Sequence, residues 1–285
     1  MGVGRSKFDG YRTTADAPFP ADRHASLLLL DVKPTVELPH GTPMPVLGLG
    51  VWQMAAGAET EQAVAYALEV GYRHIDTAAM YRNEQSVGAG VRASGVPRDQ
   101  VFVTTKLYPV HANAERELEK SLERLDFDYV DLYLIHWPVP VMKARYWRQF
   151  ERLQERGLAR EIGVSNFSRS QLESLDGPVP AVNQVHFSPF RFPRELRDYC
   201  EERGIVTEAY SPLEQGRGLD DRTITSVAAR IGRTPAQVML RWAVQQRTVV
   251  IPKSSRPERI RSNAEVFDFE LGEEDMGLLS ALSGD

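Results

Sequence analysis

The chain has 285 residues, 42% of them hydrophobic and 26% charged, with a formal net charge of -5 and a pI near 5.8. Interspersed charges with an acidic balance argue against nucleic-acid binding, which calls for a basic excess. The apolar run Leu27–Leu30 is too short for a membrane span or a secretory signal. A single cysteine, Cys200, excludes an internal disulfide and a thiolate zinc cluster, and cytoplasmic residence is the default.

Residues 1–30 mix Gly, Pro, Asp and Arg without periodicity and are expected to form a mobile N-terminal extension outside the catalytic fold. Met1-Gly2 with Ser6 satisfies the loose myristoylation pattern, which is short enough to arise by chance. From Val32 two short strands flank Pro39-His40-Gly41-Thr42, a hairpin with Gly41 at its turn. Eight further strands are predicted at 48–52, 73–76, 101–105, 130–135, 161–165, 181–185, 205–209 and 248–251. Stretches with apolar residues at helical spacing separate them, among them 61–68 and 117–125. The longer gap between the seventh and eighth strands holds two helices, near 221–231 and 235–246. A helix at 256–264 follows the eighth strand, and a last one lies near 273–282. Alternating strands and helices with no dividing linker predict one α/β domain over 31–285. The predicted fold is a (β/α)8 TIM barrel with an N-terminal β-hairpin and extra helices near the C-terminus.

Gly88-Ala89-Gly90-Val91-Arg92-Ala93 matches the dinucleotide fingerprint, but it follows a helical stretch rather than a strand. It reads as small residues packing a helix against the sheet.

Asp76, Lys106, His136 and Asn166 stand thirty residues apart, each at the end of a short apolar run. In a barrel their side chains emerge at the C-terminal edge of the sheet, where catalytic groups assemble. Tyr81 lies five residues beyond Asp76. A phenol is a poor acid at neutral pH; a nearby ammonium favours its ionisation, and that ammonium needs a carboxylate if it is buried. Tyr81, Lys106 and Asp76 supply that chain of dependence, and His136 could orient a carbonyl beside them. Singly, each has a bland reading: Asp76 as a loop cap, Tyr81 and His136 as core, Lys106 as a solvated strand end. Their shared position at strand ends favours the joint reading. Lys253, Ser254, Ser255, Arg256 and Arg259 surround the start of a helix after the eighth strand, a pattern suited to a phosphate. The bland alternative there is an N-cap by Ser255 with a solvated basic turn.

At these residues the chain resembles the aldo-keto reductases over about 34–283. The motifs are Gly71-Tyr72-Arg73-His74-Ile75-Asp76-Thr77-Ala78 with Tyr81 and Asn83-Glu84, then Lys106, then Leu134-Ile135-His136-Trp137-Pro138. Gly163-Val164-Ser165-Asn166-Phe167, Asn183-Gln184-Val185 and Ile251-Pro252-Lys253-Ser254 with Arg259 and Asn263 complete the order. The resemblance implies a barrel that reduces small aldehydes, α-dicarbonyls and keto-sugars with NADPH, without metal and as a monomer. It implies Tyr81 as general acid, tuned by Lys106 and Asp76, with His136 positioning the carbonyl. Ser165, Asn166 and Gln184 would hold the nicotinamide carboxamide, Tyr210 would stack on the ring, and Ser211 and Leu213 would lie along the pyrophosphate. Lys253, Ser254 and Arg259, with Asn263, would serve the phosphorylated adenosine end. Trp52, Tyr108, His136 and Trp137 would line the substrate pocket.

Three departures stand out. Ser262 occupies a position where many members carry a glutamate, and the loop Ser211–Arg217 is short. The chain ends at Asp285 without a long C-terminal loop, so a more open pocket is expected, as in bacterial members similar to 2,5-diketogluconate reductases. Two other readings stay open on the residues alone: a cofactor-sensing regulatory subunit, and a Schiff-base aldolase using Lys106 or Lys253.

Overall fold

The computed structural model describes residues 34–110, 113–139 and 143–284. The N-terminal extension and its loose lipidation pattern lie outside the described residues. Strands β1 (Thr35–Glu37) and β2 (Pro43–Pro45) pair antiparallel as the expected hairpin. Eight strands then run parallel in chain order. They are β3 (Leu49–Gly50), β4 (His74–Asp76), β5 (Phe102–Leu107), β6 (Val130–Ile135), β7 (Ala159–Ser165), β8 (Val182–His186), β9 (Val206–Tyr210) and β10 (Val249–Val250). Parallel bridges Leu47 to Val250 and Gly50 to Lys253 join the first strand to the last and close the barrel. Gly48 N donates to Val250 O at 2.9 Å, and Val250 N to Val46 O at 2.8 Å, so the seam is hydrogen-bonded.

Side chains alternate along these strands, as the two-residue period requires. On β6 Tyr133 and Ile135 face the helices, while Leu132 and Leu134 join the barrel interior. The lower interior is apolar, with Phe102, Leu132, Leu134, Val182 and Val249 packed against Leu38 and Met44 of the hairpin. The hairpin therefore stoppers the barrel's N-terminal end. His40 secures it, its backbone N–H donating to buried Glu161 at 3.0 Å. The site above therefore rests on a largely apolar plug, with Glu161 the buried carboxylate that meets the hairpin.

Helices α1 (Ala58–Glu69), α2 (Glu84–Ser94), α3 (Ala114–Leu125), α4 (Lys143–Glu155), α5 (Arg169–Glu173) and α6 (Arg194–Glu202) follow the first six strands of the barrel. The long gap holds α7 (Arg222–Ile231) and α8 (Pro235–Gln245), and α9 (Pro257–Ala264) and α10 (Glu273–Ser280) close the chain. Their ends have local causes. Asp221 accepts from Thr223 N and Ile224 N, and Thr234 and Gln237 form a capping box with Pro235 at the first turn. No helix of the described residues is long and apolar enough to cross a membrane.

The glycine pattern at 88–93 lies inside α2, as expected, but its packing partner is different. A Cβ on Gly88 would stand 1.9 Å from the Leu125 carbonyl oxygen at the end of α3, and one on Gly90 would stand 2.7 Å from Glu61 O of α1. The small residues seat a helix against two helices rather than against the sheet. Alanine is favoured over glycine by about 1 kcal/mol in a helix interior, but contact with backbone outweighs that. Gly88→Ala is expected to destabilise the protein by about 3 kcal/mol, the upper part of the usual overpacking cost. A urea midpoint at or above the wild-type value would contradict this packing.

Candidate active site

The upper ends of the strands surround a cavity of about 1040 Å³. At one end stand Asp76, Tyr81, His136, Trp137 and Trp52; at the other, Lys253, Ser254, Arg259 and Asn263. Ser165, Asn166, Gln184, Tyr210, Ser211 and Leu213 line it between.

Asp76 ends β4 and Lys106 lies inward on β5, both buried. The Lys106 ammonium reaches both Asp76 oxygens, at 2.6 and 2.7 Å, and donates to Thr77 O at 2.8 Å. Burial alone would pull the ammonium down, but Asp76, Tyr81 and Glu208 outweigh it and hold Lys106 above its ordinary value. Burial likewise pushes the Asp76 carboxyl up, against the pull of Lys106 and the Gln184 amide. An ammonium so committed is a poor Schiff-base amine, which removes Lys106 from the aldolase reading.

Tyr81 sits on a single 3-10 turn, Ala79–Tyr81, just past β4. Asn83 fixes that turn from below. Its Nδ2 donates to Val51 O at 3.0 Å, and its Oδ1 accepts from the Thr77 hydroxyl at 2.9 Å. The phenol oxygen lies 3.5 Å from Lys106 Nζ. Burial pushes the phenol up, and Lys106 opposes the rise without reversing it. The ammonium acts in the direction expected from the sequence, limiting the cost of losing the proton, while burial keeps the resting phenol protonated.

The His136 ring stands edge-on to Tyr81, with centroids 5.7 Å apart. Burial, reinforced by Lys106, pulls its imidazole down to about 3, so the ring is neutral at physiological pH. Its Nδ1 is buried with no hydrogen-bond partner among the described residues. Exposed Trp52 and Met80 stand at the mouth beside Trp137. The Tyr108 ring packs edge-on against Trp137 at 5.4 Å, one step outside the residues that line this cavity.

The amide cluster is tied together. Asn166, in a left-handed conformation with φ 62°, donates to His136 O at 3.2 Å and Ser165 Oγ at 3.0 Å. Its oxygen accepts from the Tyr210 hydroxyl at 2.9 Å. Gln184 Nε2 donates to Asp76 Oδ2 and to Glu208 Oε2, both at 2.8 Å. The short loop after Tyr210 forms one wall, through Ser211, Leu213, Gln215 and Gly216. Glu214 pins it to the barrel, accepting from Ser188 Oγ at 2.5 Å and lying 2.7 Å from His186 Nε2.

At the basic end Lys253 and Arg259 form no ion pair among the described residues, and both line the cavity beside the N-terminus of α9. Ser262 lines it too. Sequence reasoning missed Gln53, Met80 and His186 in the wall, and Thr234-Pro235-Ala236, which the junction of α7 and α8 brings to the rim. It also missed Glu208, although strand parity pointed there: Glu208 precedes Tyr210 by two and pairs in register with Gln184.

Residues 46–283 match the aldo/keto reductase family. The chain is 48% identical over 260 residues to a protein named glyoxal reductase from Bacillus subtilis, covering 89% of this chain and 94% of that one. It is 46% identical over 261 residues to methylglyoxal reductase DkgA of Yersinia pestis, covering 89% and 94%. The crystal structure of an aldo/keto reductase from Brucella melitensis superposes with a TM-score of 0.84 at 43% identity, over 87% of this chain and 97% of that one. An ordered set of strand-end residues, a closed parallel barrel and these likenesses agree: the chain belongs to the aldo/keto reductase family.

Proposed function

We propose that this protein is an NADPH-dependent carbonyl reductase acting on small aldehydes, ketones and α-dicarbonyls. The observation that carries the reading is one cavity joining two unlike ends. At one end a protonated phenol stands over a buried ion pair; at the other, Lys253 and Arg259 have no carboxylate partner among the described residues. The donor set fits a phosphorylated dinucleotide. Amides at the catalytic end suit a carboxamide, with Tyr210 beside them, while paired cations and Ser254 at a helix start suit a 2'-phosphate. When bound, the cofactor supplies the hydride.

The remaining work belongs to the chain. His136, neutral and set beside Tyr81, orients the carbonyl oxygen. Tyr81 gives its phenolic proton to that oxygen, and Lys106 stabilises the phenolate left behind, with Asp76 holding Lys106 in place. Trp52, Met80 and Trp137 shape an apolar mouth, which suits compact uncharged carbonyls. The names of the relatives from Bacillus and Yersinia make glyoxal and methylglyoxal the first substrates to test. Oxidation of NADPH by a panel of aldehydes, α-dicarbonyls and keto-sugars tests the activity; no turnover with any of them contradicts it.

Cofactor choice follows from the basic end. Charge-assisted hydrogen bonds contribute roughly 1.5–3 kcal/mol each, so NADPH should bind at least tenfold more tightly than NADH. Quenching of tryptophan fluorescence measures both dissociation constants. Equal affinities would remove Lys253, Ser254 and Arg259 from the phosphate role, and Ser262 is the first position to examine for the cause.

A further inference from the structure

Below the catalytic ion pair, the barrel interior holds a carboxyl that the mechanism above does not use. Glu208, on β9, is fully buried. Its Oε2 accepts from Gln184 Nε2 at 2.8 Å, and the same nitrogen donates to Asp76 Oδ2 at 2.8 Å. Its Oε1 is buried without a hydrogen-bond partner among the described residues, 3.5 Å from His74 Nε2. His74 in turn has Thr104 Oγ1 at 3.2 Å from that nitrogen. Gly48 makes room for the ring, since a Cβ there would meet His74 Nδ1 at 2.7 Å. A polar layer, Glu208–His74–Thr104, thus lies where a barrel of this kind ordinarily stacks branched apolar side chains.

We infer that Glu208 is a positioning residue for the proposed reaction: as a neutral carboxyl it holds the Gln184 nitrogen on Asp76, so that the Gln184 oxygen remains the acceptor presented to the cavity. This rests on the reductase reading of the preceding section. The amide nitrogen has two hydrogens. Asp76, ion-paired to Lys106, takes one, because a carbonyl oxygen turned toward that carboxylate would be repelled. Glu208 takes the other. With both hydrogens committed, the amide can neither rotate nor flip without leaving a buried donor unpaired, which is costly.

Charge counting supports the neutral state. The groups facing Glu208 are Asp76 and His74 from β4, Lys106 from β5 and Tyr81 from the turn after β4. Its register partners, Gln184 on β8 and Val249 on β10, carry no charge. The one ammonium is spent on both oxygens of Asp76. His74 offers no second cation, because burial pulls its imidazole down to about 3. A second carboxylate here would be unpaired. Burial and the charge on Asp76 push Glu208 up to about 8. Above that pH its proton leaves to solvent, and the new negative charge pushes the Tyr81 phenol further up, making proton donation harder.

The test uses the full-length protein, its Glu208→Gln and Glu208→Ala variants, and carboxyl-labelled glutamate. In the wild type, carbon-13 NMR should show one glutamate carboxyl titrating near pH 8, absent from E208Q. The pH profile of kcat/KM for NADPH-dependent reduction should show an alkaline fall in the same range, lost in E208Q. E208A should lose about tenfold or more in cofactor affinity, as a buried hydrogen bond and its packing are removed, and E208Q should restore most of that loss. The absence of a carboxyl titrating above pH 7, an alkaline fall unchanged in E208Q, or an E208Q variant as impaired as E208A would each overturn the inference. A wild-type protein that reduces no carbonyl would sink the reductase reading and the positioning role with it. A failed titration in an active reductase would overturn this inference alone.

Discussion

Replacing Tyr81 with phenylalanine should lower kcat for carbonyl reduction by about 10²–10⁴-fold, the range expected when general-acid assistance is lost. The ring would keep its place, because Ala78–Tyr81 is held through Asn83 and Thr77 rather than through the phenol oxygen. Cofactor affinity should therefore be nearly unchanged, and the loss should appear in kcat and kcat/KM alike. Burial keeps the wild-type phenol protonated, and Lys106 at 3.5 Å is the nearby cation that receives the phenolate. A Phe variant with near-normal kcat would assign the proton to another group.

Lys106→Met should be costly twice over. It removes the partner of a buried carboxylate, and breaking a buried ion pair from one side typically costs about 3–5 kcal/mol. It also removes the charge that makes a Tyr81 phenolate tolerable, so activity should fall by at least about 10²-fold. The two losses are separable. Adding Asp76→Asn removes the stranded carboxylate, so the double variant should regain part of the stability, as expected for residues in contact, but none of the activity. Urea unfolding read beside steady-state rates is the measurement. A single variant as stable as the wild type would mean that Asp76 does not depend on Lys106.

Much of this site was legible because strand ends in a parallel barrel fall at regular chain intervals. Asp76, Lys106, His136 and Asn166 were legible from their thirty-residue spacing and the apolar run before each; Asp76, His136 and Asn166 line one cavity, and Lys106 is paired to Asp76. The hairpin and the paired helices α7 and α8 were likewise carried by turn residues and helical periodicity. What escaped was set by packing across distant chain segments. Tyr108 meets Trp137 edge-on across two different loops, a contact that spacing does not reveal. The partner of Gly88 is the end of α3, thirty-seven residues on, and no local signal names it. The net upward shift of Tyr81 comes from burial that only the closed barrel creates. Glu208 lay between: parity on β9 places it two residues before Tyr210 and in register with Gln184, but no motif marks it.

In the proposed reaction this cavity brings a nicotinamide hydride to a carbonyl while Tyr81 supplies the proton. Incubating the protein with NADPH deuterated at both C4 positions and a small α-dicarbonyl, then weighing the product by mass spectrometry, tests it most directly. The alcohol formed by the wild type should carry one deuterium on carbon, and the Tyr81→Phe variant should form little product under the same conditions. An alcohol that contains no deuterium, or a deuterated alcohol formed as fast by the Phe variant, would contradict it.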